Sequence, residues 1–77
     1  MTVTSKKTIK NFKIYIDGII HLSFPTEEYS GIQSWLDGDN THIHYIKYYL
    51  KNGQCILCEY EDKKLWVEIL KQIDYYL

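Results

Sequence analysis

The chain has 77 residues, of which 45% are hydrophobic and 25% are charged, and its formal net charge is −1. This composition excludes an intrinsically disordered chain, and a charge so near zero argues against long-range attraction to nucleic acid or anionic lipid. All the basic residues are lysines, so the planar fork that arginine offers to phosphate or guanine is missing. We expect a single small domain over residues 1–77 that gains stability by self-association.

The N-terminal third predicts a hairpin. Residues 1–8 are polar, so we expect them to be frayed. Apolar residues then alternate over 12–16, Asp17-Gly18 marks a turn, and a second apolar run covers 19–24. A three-residue loop, Ile16-Asp17-Gly18, is favoured over a two-residue loop because it produces one cleanly apolar face. That face contains Phe12, Ile14, Ile20, Leu22 and Phe24.

The middle of the chain predicts a connection and a short strand. Pro25 cannot donate to a strand ladder, and residues 26–31 show no alternation, so this stretch is expected to link two strands. A third strand is predicted over Ile32–Leu36, with Trp35 on the face opposite Ile32. The turn-forming residues Asp37–Asn40 follow.

The stretch 43–60 predicts a long hairpin around Asn52-Gly53. A bulged loop of Lys51, Asn52 and Gly53 would pair Leu50 with Gln54. One face of the hairpin would then carry Ile46, Tyr48, Leu50, Ile56, Cys58 and Tyr60, and the other Ile43, Tyr45, Lys47, Tyr49, Cys55, Leu57 and Glu59.

After Tyr60 the apolar residues repeat with the period of an amphipathic helix. Asp62 is the expected N-cap. The apolar stripe comprises Leu65, Trp66, Ile69, Leu70, Ile73 and Leu77. The whole pattern predicts an α+β, two-layer fold: an antiparallel meander of about five strands with one C-terminal helix packed on one face.

The sequence argues against a metal site, a cofactor or an enzyme. His42, His44, Cys55 and Cys58 are zinc-ligand types, but residues three apart on a strand point to opposite faces, so the two cysteines cannot share one ion. The acidic residues fall in turns and edges, and the glycines show no phosphate-binding spacing. No base, nucleophile and orienting group can be assigned together.

The lack of a recognisable targeting signal in the sequence favours a cytoplasmic protein. Residues 1–11 lack the apolar core of a secretory signal, and two cysteines without such a signal indicate a reducing compartment. No apolar run approaches the length needed to cross a bilayer, so no membrane association is expected.

The sheet face away from the helix is the candidate site. An open antiparallel sheet packed on one side normally has a polar second face, whereas this one is aromatic and aliphatic. The candidate partner-binding residues are Tyr15, His21, Trp35, Tyr45, Lys47, Tyr49 and Leu57.

Three explanations account for such a face. The sheet curls or pairs with a second copy and buries it, the face binds another protein, or it stacks the bases of single-stranded nucleic acid. Missing arginine and net acidity make nucleic acid the weaker alternative. We therefore expect a non-enzymatic protein-interaction module, a homodimer or a binder of another protein, in an accessory or inhibitory role.

Overall fold

A computed structural model of the chain describes residues 1–39 and 42–77. Those residues form two antiparallel three-stranded sheets and one C-terminal helix. In chain order the elements are β1 (Val3–Lys7), β2 (Asn11–Ile16), β3 (Ile19–Pro25), a 3₁₀ turn (Thr26–Glu28), β4 (Tyr29–Leu36), β5 (His44–Leu50), β6 (Cys55–Tyr60) and α1 (Lys63–Tyr76). The strand orders are β1-β2-β3 in the first sheet and β4-β5-β6 in the second.

The α+β class is confirmed, but the single meander of about five strands is not. The chain leaves the first sheet at Pro25, which has no N–H for a ladder, and the 3₁₀ turn Thr26–Glu28 then redirects it. The second sheet starts at Tyr29, within the stretch expected to be a connection. The turn predicted over Asp37–Asn40 ends outside the described residues.

The first hairpin turns through two residues, and the prediction of a three-residue loop was wrong. Ile16 pairs with Ile19, and Asp17 and Gly18 both have positive φ, at 51° and 79°. This backbone matches the right-handed twist of paired strands. Asp17 is held in that conformation because its Oδ1 accepts from the N–H of Thr2 at 2.8 Å while its own N–H donates to the Thr2 carbonyl.

The predicted three-residue loop would have shifted the pairing register by one residue. In the structure, that shift occurs within β3. Tyr15 pairs with Ile20 and Ile14 with Leu22, which leaves His21 as an extra residue. The bulge returns Leu22 to the apolar side but leaves Ile20 on the outer side, where it is 53% exposed. The predicted inward position of Ile20 was therefore wrong.

The N-terminal segment, expected to be frayed, contains strand β1. Its ladder with β2 runs from the Val3–Ile16 pair to the Lys7–Phe12 pair. Helix α1 holds this edge, because Ser5 Oγ donates to Gln72 Oε1 and Lys7 Nζ donates to the carbonyl of Tyr76 at 2.9 Å. Contacts between the two ends of the chain, which the sequence pattern does not reveal, thus order a polar segment.

The second hairpin confirms the predicted register. The N–H of Leu50 donates to the carbonyl of Gln54 at 2.9 Å, the N–H of Gly53 donates back to Leu50, and Tyr49 pairs with Cys55. Gly53 has a φ of 88°, as a bulged three-residue loop requires. The division of the hairpin into two faces therefore follows the sequence prediction.

Both sheets and the helix share one core. Asp62 caps α1 by accepting from the N–H groups of Lys64 and Leu65, as predicted. Ile69 and Ile73 of the helix are buried in this core together with residues of both sheets. The buried hydrophobic residues are Phe12, Ile14, Phe24, Ile46, Tyr48, Tyr60, Ile69 and Ile73.

Replacing Gly53 by Ala should destabilise the protein by about 1–2 kcal/mol, because a Cβ strains a backbone with this positive φ. Gly31→Ala is the matched control: its φ is not positive and the added methyl meets no atom within 4 Å, so stability should stay equal or rise. Urea unfolding followed by circular dichroism measures both. Equal losses in the two variants would contradict the assigned loop.

Candidate functional site

The outward side chains of the second sheet form a compact grid, called here the outer face. Strand pairing aligns them in three rows across β4, β5 and β6. The rows are Trp35, Tyr45 and Glu59; Gln33, Lys47 and Leu57; and Gly31, Tyr49 and Cys55. Aromatic, aliphatic and polar side chains thus occupy one flat surface.

The first row is an ordered aromatic stack. The rings of Trp35 and Tyr45 lie 5.1 Å apart with an interplanar angle of 15°. The Tyr45 hydroxyl donates to Oδ2 of Asp37 at 3.3 Å. Local desolvation, together with the negative charge of Asp37, raises the pKa of Tyr45, so the phenol stays a neutral donor. Cross-strand pairing and this hydrogen bond fix both rings before any partner arrives.

The remaining rows carry a positive charge beside an apolar surface. Lys47 Nζ lies 5.3 Å from the centre of the Tyr49 ring, within the range of a cation–π contact. The Tyr49 hydroxyl donates to Gln33 Oε1 at 2.9 Å. Leu57, beside Lys47, is 53% exposed. The centre of the face therefore combines an apolar side chain with a lysine aligned over an aromatic ring.

The core lies entirely on the other side of this sheet. Phe24 of the first sheet packs against Tyr48, with ring centres 5.9 Å apart, and His44 packs against Trp66 of the helix at 4.9 Å. Tyr48 and His44 point to the inner face because they alternate with Tyr49 and Tyr45 along β5. The first sheet and helix α1 therefore leave the outer face turned towards solvent.

The structure brings together Trp35, Tyr45, Lys47, Tyr49 and Leu57 of the predicted set, but places Tyr15 and His21 elsewhere. Tyr15 lies on the outer side of the first sheet, opposite Ile20. His21 turns towards the second sheet, where its Nε2 lies 2.7 Å from the Tyr60 hydroxyl. The expectation that both residues share one continuous face with Trp35 was wrong, because the two sheets are separate.

The contact between His21 and Tyr60 leads into a buried cluster of Tyr48, Cys58 and Tyr60, whose shared face the sequence predicted without the approach of His21. Burial raises the pKa values of Tyr48 and Tyr60, and the neighbouring Tyr48 and Cys58 raise the pKa of Tyr60 further. Burial also raises the pKa of Cys58 itself, which makes its thiol a poor nucleophile. The bulge in β3 adds His21 to this cluster, and no sequence pattern marked that bulge.

The cysteine and histidine residues do not converge on one metal ion. Cys55 pairs with Tyr49 on the outer face and Cys58 with Ile46 on the inner face, as the register predicted. Both thiols are free. His44 Nδ1 lies 3.3 Å from the carbonyl of Tyr60. Residues 1–39 and 42–77 contain no group of three or more potential side-chain ligands arranged around a common point.

Comparison with protein-family models, with curated proteins and with solved structures finds no match to this chain. Within the described residues, no helix has the length and the apolar character that crossing a membrane requires.

The partial burial of His21 beside Tyr60 predicts a pH dependence of stability. Partial burial lowers the pKa of His21, so the unfolded chain binds a proton more readily than the folded one. The free energy of unfolding should therefore fall as the pH decreases below about 6.5, the ordinary histidine pKa. Urea unfolding at a series of pH values between about 5 and 8, a range that brackets the ordinary histidine pKa, measures this fall in the free energy of unfolding.

His21→Gln provides the control for this pH dependence. Glutamine keeps a polar group near the Tyr60 hydroxyl but does not titrate, so the part of the pH dependence due to His21 should disappear. If the free energy of unfolding depends on pH in the same way in the wild type and in His21→Gln, then His21 does not cause the loss of stability at low pH.

Proposed function

We propose that this chain is a non-enzymatic protein-interaction module that binds a partner protein through the outer face and also associates with a second copy of itself. The observation that carries the proposal is the ordered aromatic grid around Trp35, Tyr45 and Tyr49, turned away from the core. A binding surface without a catalytic centre suits an accessory or inhibitory role.

The composition of the outer face favours protein recognition. Trp and Tyr are the residue types most enriched among those that dominate binding energy. Here their rings are already fixed by stacking and by hydrogen bonds to Asp37 and Gln33. Less side-chain entropy is lost on binding when the contact residues are ordered beforehand. Trp35, Tyr45 and Tyr49 are therefore the expected anchors.

The charges of the outer face favour protein over nucleic acid. Lys47 is the cation in the grid, and Glu59 of the first row balances it. A stacking platform for single strands normally combines aromatic rings with a positively charged groove that follows the phosphates. Lys47 is also positioned over Tyr49, where it acts within the face. A neutral aromatic surface suits a mixed apolar and polar protein surface.

Photo-crosslinking tests the protein-binding role. A benzophenone amino acid replacing Tyr49 should crosslink a protein in cells that produce the chain, because this side chain lies within the proposed interface. Trp35→Asp should weaken the capture, since loss of an aromatic anchor costs about 2 kcal/mol or more, a factor of about 30 in affinity.

The same photoreactive residue at Tyr15, on the outer side of the first sheet, is the matched control and should capture nothing specific. Circular dichroism establishes that Trp35→Asp remains folded. Equal capture from both positions, or capture that survives Trp35→Asp, would contradict binding through the outer face.

Titration with a fluorescent single-stranded oligonucleotide tests the alternative. Because the face is close to neutral, we expect no saturable binding at either low or physiological salt. Binding at low salt that weakens steeply as salt rises, and that Tyr49→Ala reduces, would favour the stacking platform instead.

A further inference from the structure

The four outer edges of the two sheets differ in their protection against pairing with another strand. In natural proteins, lysines, prolines, bulges or covering segments protect edge strands from pairing with another strand. Three edges in the described residues carry such features: Lys6 and Lys7 in β1, the bulge at His21 and Pro25 in β3, and the register shift between Tyr29 and Gly31 in β4. Strand β6, with the sequence Cys-Ile-Leu-Cys-Glu-Tyr, contains none of them.

The backbone of β6 has unpaired groups along its outer edge. Leu50 and Gln54 form a hydrogen-bonded pair, so every second residue from Gln54 onwards faces β5. The intervening residues, Cys55, Leu57 and Glu59, direct their N–H and C=O groups away from β5. Their side chains are all exposed. This edge therefore offers a regular row of donors and acceptors to an added strand.

We infer that β6 pairs antiparallel with β6 of a second copy of this chain, with Leu57 opposite the partner's Leu57. The β4-β5-β6 sheets of the two copies then form one continuous six-stranded sheet about a twofold axis. In this register Cys55 lies opposite the partner's Glu59. The unpaired groups on each strand meet complementary groups on the other, because an isologous interface uses the same patch twice.

Charge favours the antiparallel orientation of the two strands. The single charged residue of strand β6 is Glu59, near its C-terminal end. Antiparallel pairing about Leu57 sets Glu59 opposite Cys55 of the other copy, whereas parallel in-register pairing would place the two Glu59 side chains together. The edge is therefore complementary to itself.

The dimer would join the two outer faces. Three strands spaced as in ordinary sheets present a flat area of roughly 250 Å², compared with about 800 Å² that each partner contributes to a standard interface. Side-by-side pairing doubles the aromatic surface without covering it. This inference rests on the proposed function only for the expectation that the chain associates with a second copy. It assigns that self-association to the outer edge of β6.

Disulfide crosslinking of the full chain tests the register. In a Cys55→Ser, Cys58→Ser background, Leu57→Cys should form a covalent dimer under mild oxidation, because directly opposed residues have Cα atoms about 5.5 Å apart, within disulfide range. Ser23→Cys, an exposed position on the edge strand β3, is the matched control and should stay monomeric on the same timescale. Equal crosslinking of the two variants would overturn the inference.

Sedimentation velocity tests the backbone contacts. Glu59→Pro removes one outward N–H from each copy and none of the bonds to β5, so it should raise the dimer dissociation constant about 30-fold. Trp35→Asp, on the outer face, should leave dimerisation unchanged while it weakens crosslinking from position 49 to a different protein. A wild-type monomer throughout the micromolar range would overturn the edge dimer, and so would dissociation by Trp35→Asp alone. In either case, capture at position 49 still tests the binding function independently.

Discussion

The fold depends on the contact between the two sheets at Phe24 and Tyr48. These rings lie 5.9 Å apart, both side chains are almost fully buried, and Ile69 and Ile73 of the helix complete the same core. A three-stranded sheet with one apolar face cannot bury that face alone. Two such sheets facing one another, with a helix inserted from the C-terminus, give this short chain a common interior. The contacts of β1 with the helix then close the molecule between its two ends.

This arrangement separates stability from recognition within single strands. Along β5, His44, Ile46 and Tyr48 are buried in the core, while Tyr45, Lys47 and Tyr49 alternate with them and face outwards. A substitution on one side can therefore alter binding while the core remains intact. The same alternation makes β6 important twice, because its outward side chains contribute to the face and its outward backbone groups form the open edge.

The bulge at His21 shows how a small change in backbone pairing redistributes chemistry. One extra residue in β3 moves Ile20 outwards and directs the imidazole to Tyr60. The candidate set read from sequence was therefore divided: its second-sheet members form one face, whereas Tyr15 and His21 belong to other surroundings. Predicting that division required the position of the bulge, which no residue pattern in the sequence marks.

The sequence by itself determined the local features of the second hairpin and the helix. Alternation and the Asn52-Gly53 loop fixed the register of the second hairpin, and a 3.6-residue repeat with Asp62 at its start defined the helix. These signals depend on residues close together in the chain. Tertiary structure alone decided the division into two sheets, the formation of strand β1 by the polar N-terminal segment and the environment of His21. These features depend on contacts between distant segments. For the candidate site, the sequence therefore identified the aromatic face, and only packing showed which residues share it.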